Sequence, residues 1–265
     1  MISIVVVCLN AGERLKNTIK SIIEQSSKDY EVIIQDGIST DSSVEEALKI
    51  CSDEDKSRIT VFSQKDAGIY DAMNKAVKKI KGQYCIFMNA GDYLENKDSL
   101  QKITEAIKKE KADIYYGYMK HRALNTYVYP SKVIDDFTCF RNVPCHQTCI
   151  YSKELFEKRG YNLNYRVRAD YEHFLWCYYE EKARITYIDV PVCSYEGGGF
   201  SETRENKRES AKEHREIVEK YMGSKKARHY RRIMRLTLQP LRTRMAQSKY
   251  MSGFYNQVKA LIYKK

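Results

Sequence analysis

Four aspartates stand where chemistry is easiest to do. Asp36, Asp66 and Asp92 follow closely on short apolar runs, in the company of amides, hydroxyls and glycines: Asp36-Gly37-Ile38-Ser39-Thr40-Asp41, Lys65-Asp66-Ala67-Gly68 and Asn89-Ala90-Gly91-Asp92, with Asn10-Ala11-Gly12 closing an earlier run. Asp170 stands apart, at the head of the aromatic-rich segment Asp170 to Glu180. Carboxylates can take a proton from a hydroxyl, or bind a hard cation such as Mg2+ or Mn2+. Any one of these segments taken alone reads more readily as turn chemistry, because Asp, Asn and Gly favour turns and helix caps everywhere. The phosphate loops G-x-G-x-x-G and G-x-x-x-x-G-K-[ST] are both absent. A phosphate bound here would therefore need a metal or distant basic groups, and Asp92 is the natural metal ligand.

What lifts these residues above turn chemistry is the elements that must carry them. Ile4 to Cys8, Glu31 to Gln35, Ile59 to Phe62 and Tyr84 to Met88 read as strands, the first two as buried runs. Between them, Leu15, Ile19, Ile22 and Ile23 recur at helical spacing. So do Val44, Ala47, Leu48 and Cys51, with Thr40 or Asp41 as cap, and Met73, Ala76, Val77 and Ile80, ending near Gly82. Alternation of this kind specifies an α/β fold: a mostly parallel, Rossmann-like sheet with helices on both faces. Ligands of open α/β sheets bind beyond the carboxyl ends of the strands, so four successive strands deliver acids, amides and glycines to one edge. Beyond Asp92 the pattern loosens. Leu100 to Ile107 reads as helix, Asp113 to Lys120, Thr126 to Tyr129 and Ile185 to Val190 as strands, and Asp170 to Glu180 as helix.

These blocks together resemble family 2 glycosyltransferases of the GT-A fold, the type that builds bacterial surface polysaccharides. The resemblance covers about residues 2–200. It rests on Val7-Cys8-Leu9-Asn10, Gln35-Asp36-Gly37-Ile38-Ser39-Thr40-Asp41-Ser42, Lys65-Asp66-Ala67-Gly68-Ile69-Tyr70-Asp71-Ala72-Met73-Asn74-Lys75, Phe87-Met88-Asn89-Ala90-Gly91-Asp92 and Ala169-Asp170-Tyr171-Glu172. It implies that Asp36 bonds the nucleotide base, usually uracil, and that Asp66 and Gly68 lie near base and ribose. Asn10, Asn74 and Asn89 join them in the nucleotide-binding set. Asp92 matches the ligand of Mn2+ or Mg2+ in the family's Asp-x-Asp motif, although Asn89 and Gly91 stand where carboxylates are common. Asp170 matches the acid that deprotonates the acceptor hydroxyl in inverting members, with Glu172 as rival base. Pro144-Cys145-His146-Gln147-Thr148 resembles the acceptor-side stretch, so His146 and Gln147 are candidates to touch acceptor or diphosphate. Gly197 to Ser201 resembles a loop that closes over the donor, bringing Ser201 and Arg204 within reach of the diphosphate. The implied activity is inverting sugar transfer from a nucleotide-sugar, with UDP favoured, to a hydroxyl of a saccharide or lipid-linked saccharide.

The chain as a whole sets bounds on this reading. Of 265 residues, 43% are apolar and 31% charged, enough for a sizeable core and unlike an integral membrane protein. Eight cysteines with no C-x-x-C pair suit a reducing compartment, and the first residues lack the features of a signal peptide, so a cytoplasmic protein is expected. Cys145, His146 and Cys149 match no common structural zinc spacing. The net charge of +11 is uneven: residues 202–265 hold 18 Lys and Arg against 6 Asp and Glu, residues 1–201 hold 28 against 29. The expected division is a catalytic domain over 1–201, with a nucleotide-binding half at 1–92 and an acceptor-binding half at 93–201, and a basic helical tail over 202–265. Phe254, Val258, Leu261 and Ile262 give the tail one apolar face. That points to peripheral contact with an anionic membrane, such as the inner face of the plasma membrane, rather than packing on the domain. Nucleic acid is not the expected partner, because no recognised binding motif is present and the front domain is not basic. The remaining alternatives are a nucleotidyltransferase, though the Gly-rich basic signature after the first strand is missing, and an inactive nucleotide-binding relative.

Overall fold

The computed structural model describes residues 1–195, 197 and 203–236, the Arg204 side chain excepted. Its first strand, β1 (Ile2–Cys8), is buried along all seven residues, as a β-branched run flanked on both sides must be. Helix α1 (Glu13–Ile23) buries Leu15, Thr18, Ile19 and Ile22 against the sheet and leads to β2 (Tyr30–Asp36). Two short helices, α2 (Ser43–Lys49) and α3 (Asp53–Ser57), precede β3 (Ile59–Ser63). Neither Thr40 nor Asp41 is the cap of α2; Ser42 holds that position, and Asp41 accepts from the Ser43 N–H and hydroxyl beside it. Helix α4 (Ile69–Val77) ends five residues short of Gly82 and leads to β4 (Tyr84–Asn89).

β1 lies between β2 and β4, and β3 lies outside β2, all parallel. The register sets Cys8 beside Asp36 and Val7 beside Asn89, so the carboxyl ends of β2 and β4 flank that of β1. The second half breaks the parallel pattern. It runs β5 (Tyr93–Leu94), α5 (Ser99–Lys109), β6 (Ile114–His121), β7 (Thr126–Val128), α6 (Asp136–Arg141), β8 (Cys149–Ser152), α7 (Lys153–Lys158), α8 (Ala169–Tyr179), β9 (Ile185–Tyr195) and α9 (Arg204–Leu236). The order is β3-β2-β1-β4-β8-β6-β9-β5 with β7 on β6, and β8 is antiparallel to both neighbours. The sheet is therefore mixed, and the reversal falls at β8, four residues that carry no alternation of their own. A tight 3-10 turn at His146–Thr148 feeds β8 from the cleft side.

Two cores fill the two faces. One packs α4, α7, α8 and α9 on the sheet; the other packs α1, α2 and α5. The basic tail is thus corrected in part. Ile217, Val218 and Ala227 of α9 are fully buried members of the first core, so the described stretch to Leu236 packs on the domain, and a boundary at 201/202 does not separate two cores. Gly223 has φ 75°, and α9 kinks there. Pro240 and the apolar face at 254–262 lie outside the described residues.

Glu172 accounts for the docking. Its side chain is 0% exposed and accepts from Arg159 (2.8 Å), Lys220 (2.8 Å) and the Tyr221 hydroxyl (2.6 Å). Burial works to raise its pKa, but these three partners outweigh it and hold the carboxyl below its ordinary value. A carboxylate so engaged cannot reach an acceptor. Glu172 is not the rival base; it ties α8 to α9.

Candidate active site

At the end of β2, Asp36 is 4% exposed, and both carboxylate oxygens accept from the Ser39 N–H (3.1 and 3.2 Å) while the Ser63 hydroxyl donates from β3 (3.0 Å). These bonds fold the 37–41 loop back over the strand ends and hold Ile38 at φ 67°, a costly conformation for a β-branched residue. The loop is stitched to the end of β1: Asn10 donates its N–H to the Ser39 hydroxyl (2.9 Å) and accepts from the Thr40 N–H (2.8 Å), and Asp41 accepts from the Gly12 N–H (3.1 Å). Gly37 packs so closely on Asp66 that a Cβ there would lie 2.7 Å from a carboxylate oxygen. Asp66 also accepts from the Gly68 N–H (2.9 Å), and Gly68, at φ 126°, starts α4. Asn10, Asp36, Asp66 and Gly68 therefore form one rim.

At the end of β4, across β1 and about 10 Å away at the usual strand spacing, a second group gathers. Asp92 is 4% exposed and accepts from the Gln147 amide (3.1 Å) and the Asn89 N–H (3.3 Å). Burial dominates its environment and raises its pKa against those bonds. The Asn89 side-chain nitrogen is 3.5 Å from His146 Nε2, while its side-chain oxygen is buried with no hydrogen-bond partner among the described residues. His146 Nδ1 lies 2.9 Å from Asp170 Oδ2, and the Tyr70 hydroxyl donates to Asp170 Oδ1 (2.9 Å). Burial pushes the Asp170 pKa up, yet the bond and charge of His146, with the Tyr171 N–H and Tyr70 hydroxyl, bring it below the ordinary carboxylate value. A quarter of the Asp170 side chain (25%) and a tenth of His146 (11%) remain accessible. Asp170, His146, Gln147 and Asn89 face one cavity of about 480 Å3, which Tyr70, Arg168, Tyr195 and Lys207 also line. A deprotonated acid beside a hydrogen-bonding imidazole in such a hollow can accept a hydroxyl proton.

The structure thus brings Asn89, Asp92, His146, Gln147 and Asp170 together, and sets Asn10, Asp36, Asp66 and Gly68 along the same edge but outside that hollow. Asn74 belongs to neither group. Its amide donates to the Tyr161 carbonyl (2.9 Å) and accepts from the Tyr161 N–H (2.7 Å), a clamp between α4 and the turn after α7, and it lines neither the rim nor the cavity that Asp170 faces. Ser201 and the Arg204 side chain lie outside the described residues, as does most of the 197–201 loop. Tyr70, Arg168 and Lys207 escaped the reading of the sequence. Tyr70 had a signal, since it lies in the first turn of α4, two residues after Gly68; the other two gain meaning only through tertiary contact.

Comparison with known proteins completes the description. The family model "Glycosyl transferase family 2" matches residues 3–202. The PGL/p-HBAD biosynthesis glycosyltransferase of Mycobacterium tuberculosis is 34% identical over 206 residues, spanning 77% of this chain and 80% of that protein. Among solved structures, the mannosyltransferase PcManGT from Pyrobaculum calidifontis, in complex with GDP-Man and Mn2+, superposes with TM-score 0.64 at 15% identity over 100% of this chain and 88% of its own. S. aureus TarS 1-349 in complex with UDP gives TM-score 0.62 at 18% identity over 96% and 74%. Against another TarS 1-349 chain and the longer TarS chain, the match spans 60% and 44% of their lengths. At these identities the structural likeness concerns the GT-A fold.

Proposed function

The chain belongs to glycosyl transferase family 2 and is a glycosyltransferase, and from that premise we propose that it moves a sugar from a UDP-sugar to a hydroxyl of a saccharide or lipid-linked saccharide, with inversion. The observation that carries the proposal is the Asp170–His146 pair, partly accessible in the cavity and beside Asn89 and Gln147. Asp170 takes the acceptor proton on Oδ2 or Oδ1. Tyr70 and His146 fix the carboxylate's orientation and keep it ionised across the neutral range, so the base is ready before substrate arrives. The rim of Asn10, Asp36, Asp66 and Gly68 receives base and ribose, with Asp36 acting largely through the loop it holds.

The donor set at the end of β4 fits a hard divalent cation at one corner. Asp92 supplies a carboxylate, to which the Asn89 N–H is bonded, and the Asn89 side-chain oxygen is a buried acceptor left unsatisfied among the described residues. Among the described residues no group of three or more His, Cys, Asp or Glu side chains is arranged to hold a metal, so Mn2+ or Mg2+ would depend on the donor diphosphate for much of its coordination. When bound, such an ion offsets the charge that develops on the departing diphosphate. Gln147 orients Asp92 for that role through its 3.1 Å bond.

The lipid-linked acceptor is favoured by α9. Residues 224–236 hold six Lys and Arg and no acid. Lys226 and Arg231 pair with Asp136 and Glu219. Lys225, Arg228, Arg232 and Arg235, spaced three, four and three apart on one exposed face, have no acidic partner among the described residues, and Leu236 beside them is 82% exposed. Such a face suits peripheral contact with an anionic membrane. No helix among the described residues is long and apolar enough to cross one.

The decisive experiment pairs binding with turnover. Calorimetry with UDP and GDP, with and without Mn2+, identifies the base; the matching nucleotide-sugars then enter transfer assays. Asp170→Asn is expected to bind the same nucleotide and lose transfer, and wild-type-like turnover by this variant would remove Asp170 from the mechanism.

A further inference from the structure

The wall of the cavity beyond Asp170 carries charge that no step above uses. Arg168 precedes α8, and Lys207 lies in the first turns of α9; both line the cavity that Asp170 faces. The Arg168 Nε donates to the Ser210 carbonyl (3.0 Å) and hydroxyl (2.7 Å), and its guanidinium lies 5.3 Å from the centre of the Tyr171 ring. These contacts fix its direction and leave its terminal nitrogens with no carboxylate among the described residues. Lys207 is exposed and likewise has no ion-pair partner among them. Glu213 is close in the fold but buried, and its carboxylate is spent on the N–H groups of Arg166, Val167 and Arg168. Among the described lining residues the only carboxylate is Asp170, already held by His146 and Tyr70.

Two cations lining one wall, with no carboxylate paired to either among the described residues, repel each other and attract an anion. From this we infer that the wall is an anionic subsite for the acceptor: a phosphate ester or a uronate carboxylate, carried near the hydroxyl that Asp170 deprotonates, sits between Arg168 and Lys207. The inference rests on the reading of Asp170 as base, which makes this the acceptor side. None of Asn10, Asp36 or Asp66 lines the cavity, so the nucleotide rim is a separate place. The planar guanidinium offers a fork to two oxygens and the ammonium a point charge, which suits a phosphate or a carboxylate and gives nothing extra to a neutral sugar.

The test uses the full chain saturated with UDP, so that the donor side is filled. Glucose 1-phosphate, glucuronic acid and methyl glucoside are titrated calorimetrically into the wild type, Lys207→Ala, Lys207→Arg and Arg168→Gln. A charge-assisted bond is commonly a tenfold effect or more, so the better charged probe is expected to bind roughly tenfold tighter than methyl glucoside. Lys207→Ala removes most of that advantage, Lys207→Arg restores it, and UDP affinity stays unchanged in all four proteins. Preference for the phosphate identifies a phosphorylated acceptor, and preference for glucuronic acid a uronate. Equal binding of charged and neutral probes overturns the subsite. So does a loss of UDP affinity in step with the Lys207 change, which would assign the cations to the donor. The exposed Lys207 side chain makes no hydrogen bond or ion pair among the described residues, so its variants carry the test even where Arg168→Gln disturbs the Ser210 contact. Failure of UDP to bind the wild type would instead strike the donor reading, and charge-dependent probe binding would still be measurable without it.

Discussion

The hydrogen bonds around Asp170 decide how the cleft responds to pH and to mutation. A carboxyl held below its ordinary pKa by His146, the Tyr171 N–H and the Tyr70 hydroxyl stays ionised as pH falls from neutral. Transfer is therefore expected to be insensitive to this group across the neutral range and to fail only in acid, which a rate profile at saturating donor would record. Asp170→Asn should lower turnover by about 10²–10⁴-fold, the usual contribution of a positioned base, while still melting as a cooperatively folded protein. Tyr70→Phe removes one donor and leaves the ring, so it should cost far less activity than Asp170→Asn; equal losses would make Tyr70 a direct participant. On the nucleotide rim, Gly37→Ala brings a methyl group against the Asp66 carboxylate. It should weaken nucleotide affinity while leaving the cavity around Asp170 intact, a split that calorimetry with UDP and a probe of the acceptor side would reveal.

Among the elements, α9 is the one whose role is least visible without the fold. It buries Ile217, Val218 and Ala227 in the core and is tied by Lys220 and Tyr221 to Glu172. Ile217→Ala should destabilise by about 2–4 kcal/mol through lost burial and a residual cavity. Glu172→Ala should cost about 3 kcal/mol, the lower end for breaking a buried pair, because Arg159 and Lys220 are each partly exposed and recover water. The pH sign follows from the same contacts. The folded-state pKa of Glu172 is depressed below 4.5, so its contribution is complete above that value and is lost as pH falls through the folded pKa. Denaturant midpoints for wild type and Glu172→Gln should converge in acid. A constant gap down to acid pH would show that the ion pairs contribute nothing net.

For the whole molecule, the charge asymmetry becomes directional. The front of the chain is near neutral, while the exposed face of α9 gathers Lys225, Arg228, Arg232 and Arg235 beside Leu236. Reversing these four to Glu should abolish flotation with vesicles rich in anionic lipid and leave turnover on a soluble acceptor unchanged. Flotation that persists after reversal would reject this face of α9 as the membrane contact.

How much of this could be read in advance follows from how far each interaction reaches along the chain. The strands of the first half announce themselves because a strand buried on both faces must be a continuous apolar run, and its loop of Asp, Asn and Gly must follow at once. Asp36, Asp66, Asn89 and Asp92 were therefore legible as one edge, and Asp170 through its resemblance. The mixed sheet was not, because β8 has only four residues and its direction is set by the pairing of Cys85 with Tyr151 and Tyr115 with Ile150, far apart in sequence. Nor were the fates of Asn74 and Glu172. An amide or a carboxylate on a helix looks the same in sequence whether it meets a substrate, the Tyr161 backbone or the cations of another helix. The sequence determined which residue types reach the strand ends; only the tertiary structure decided which of them were left over for a ligand, because hydrogen-bond partners are chosen by distance in space.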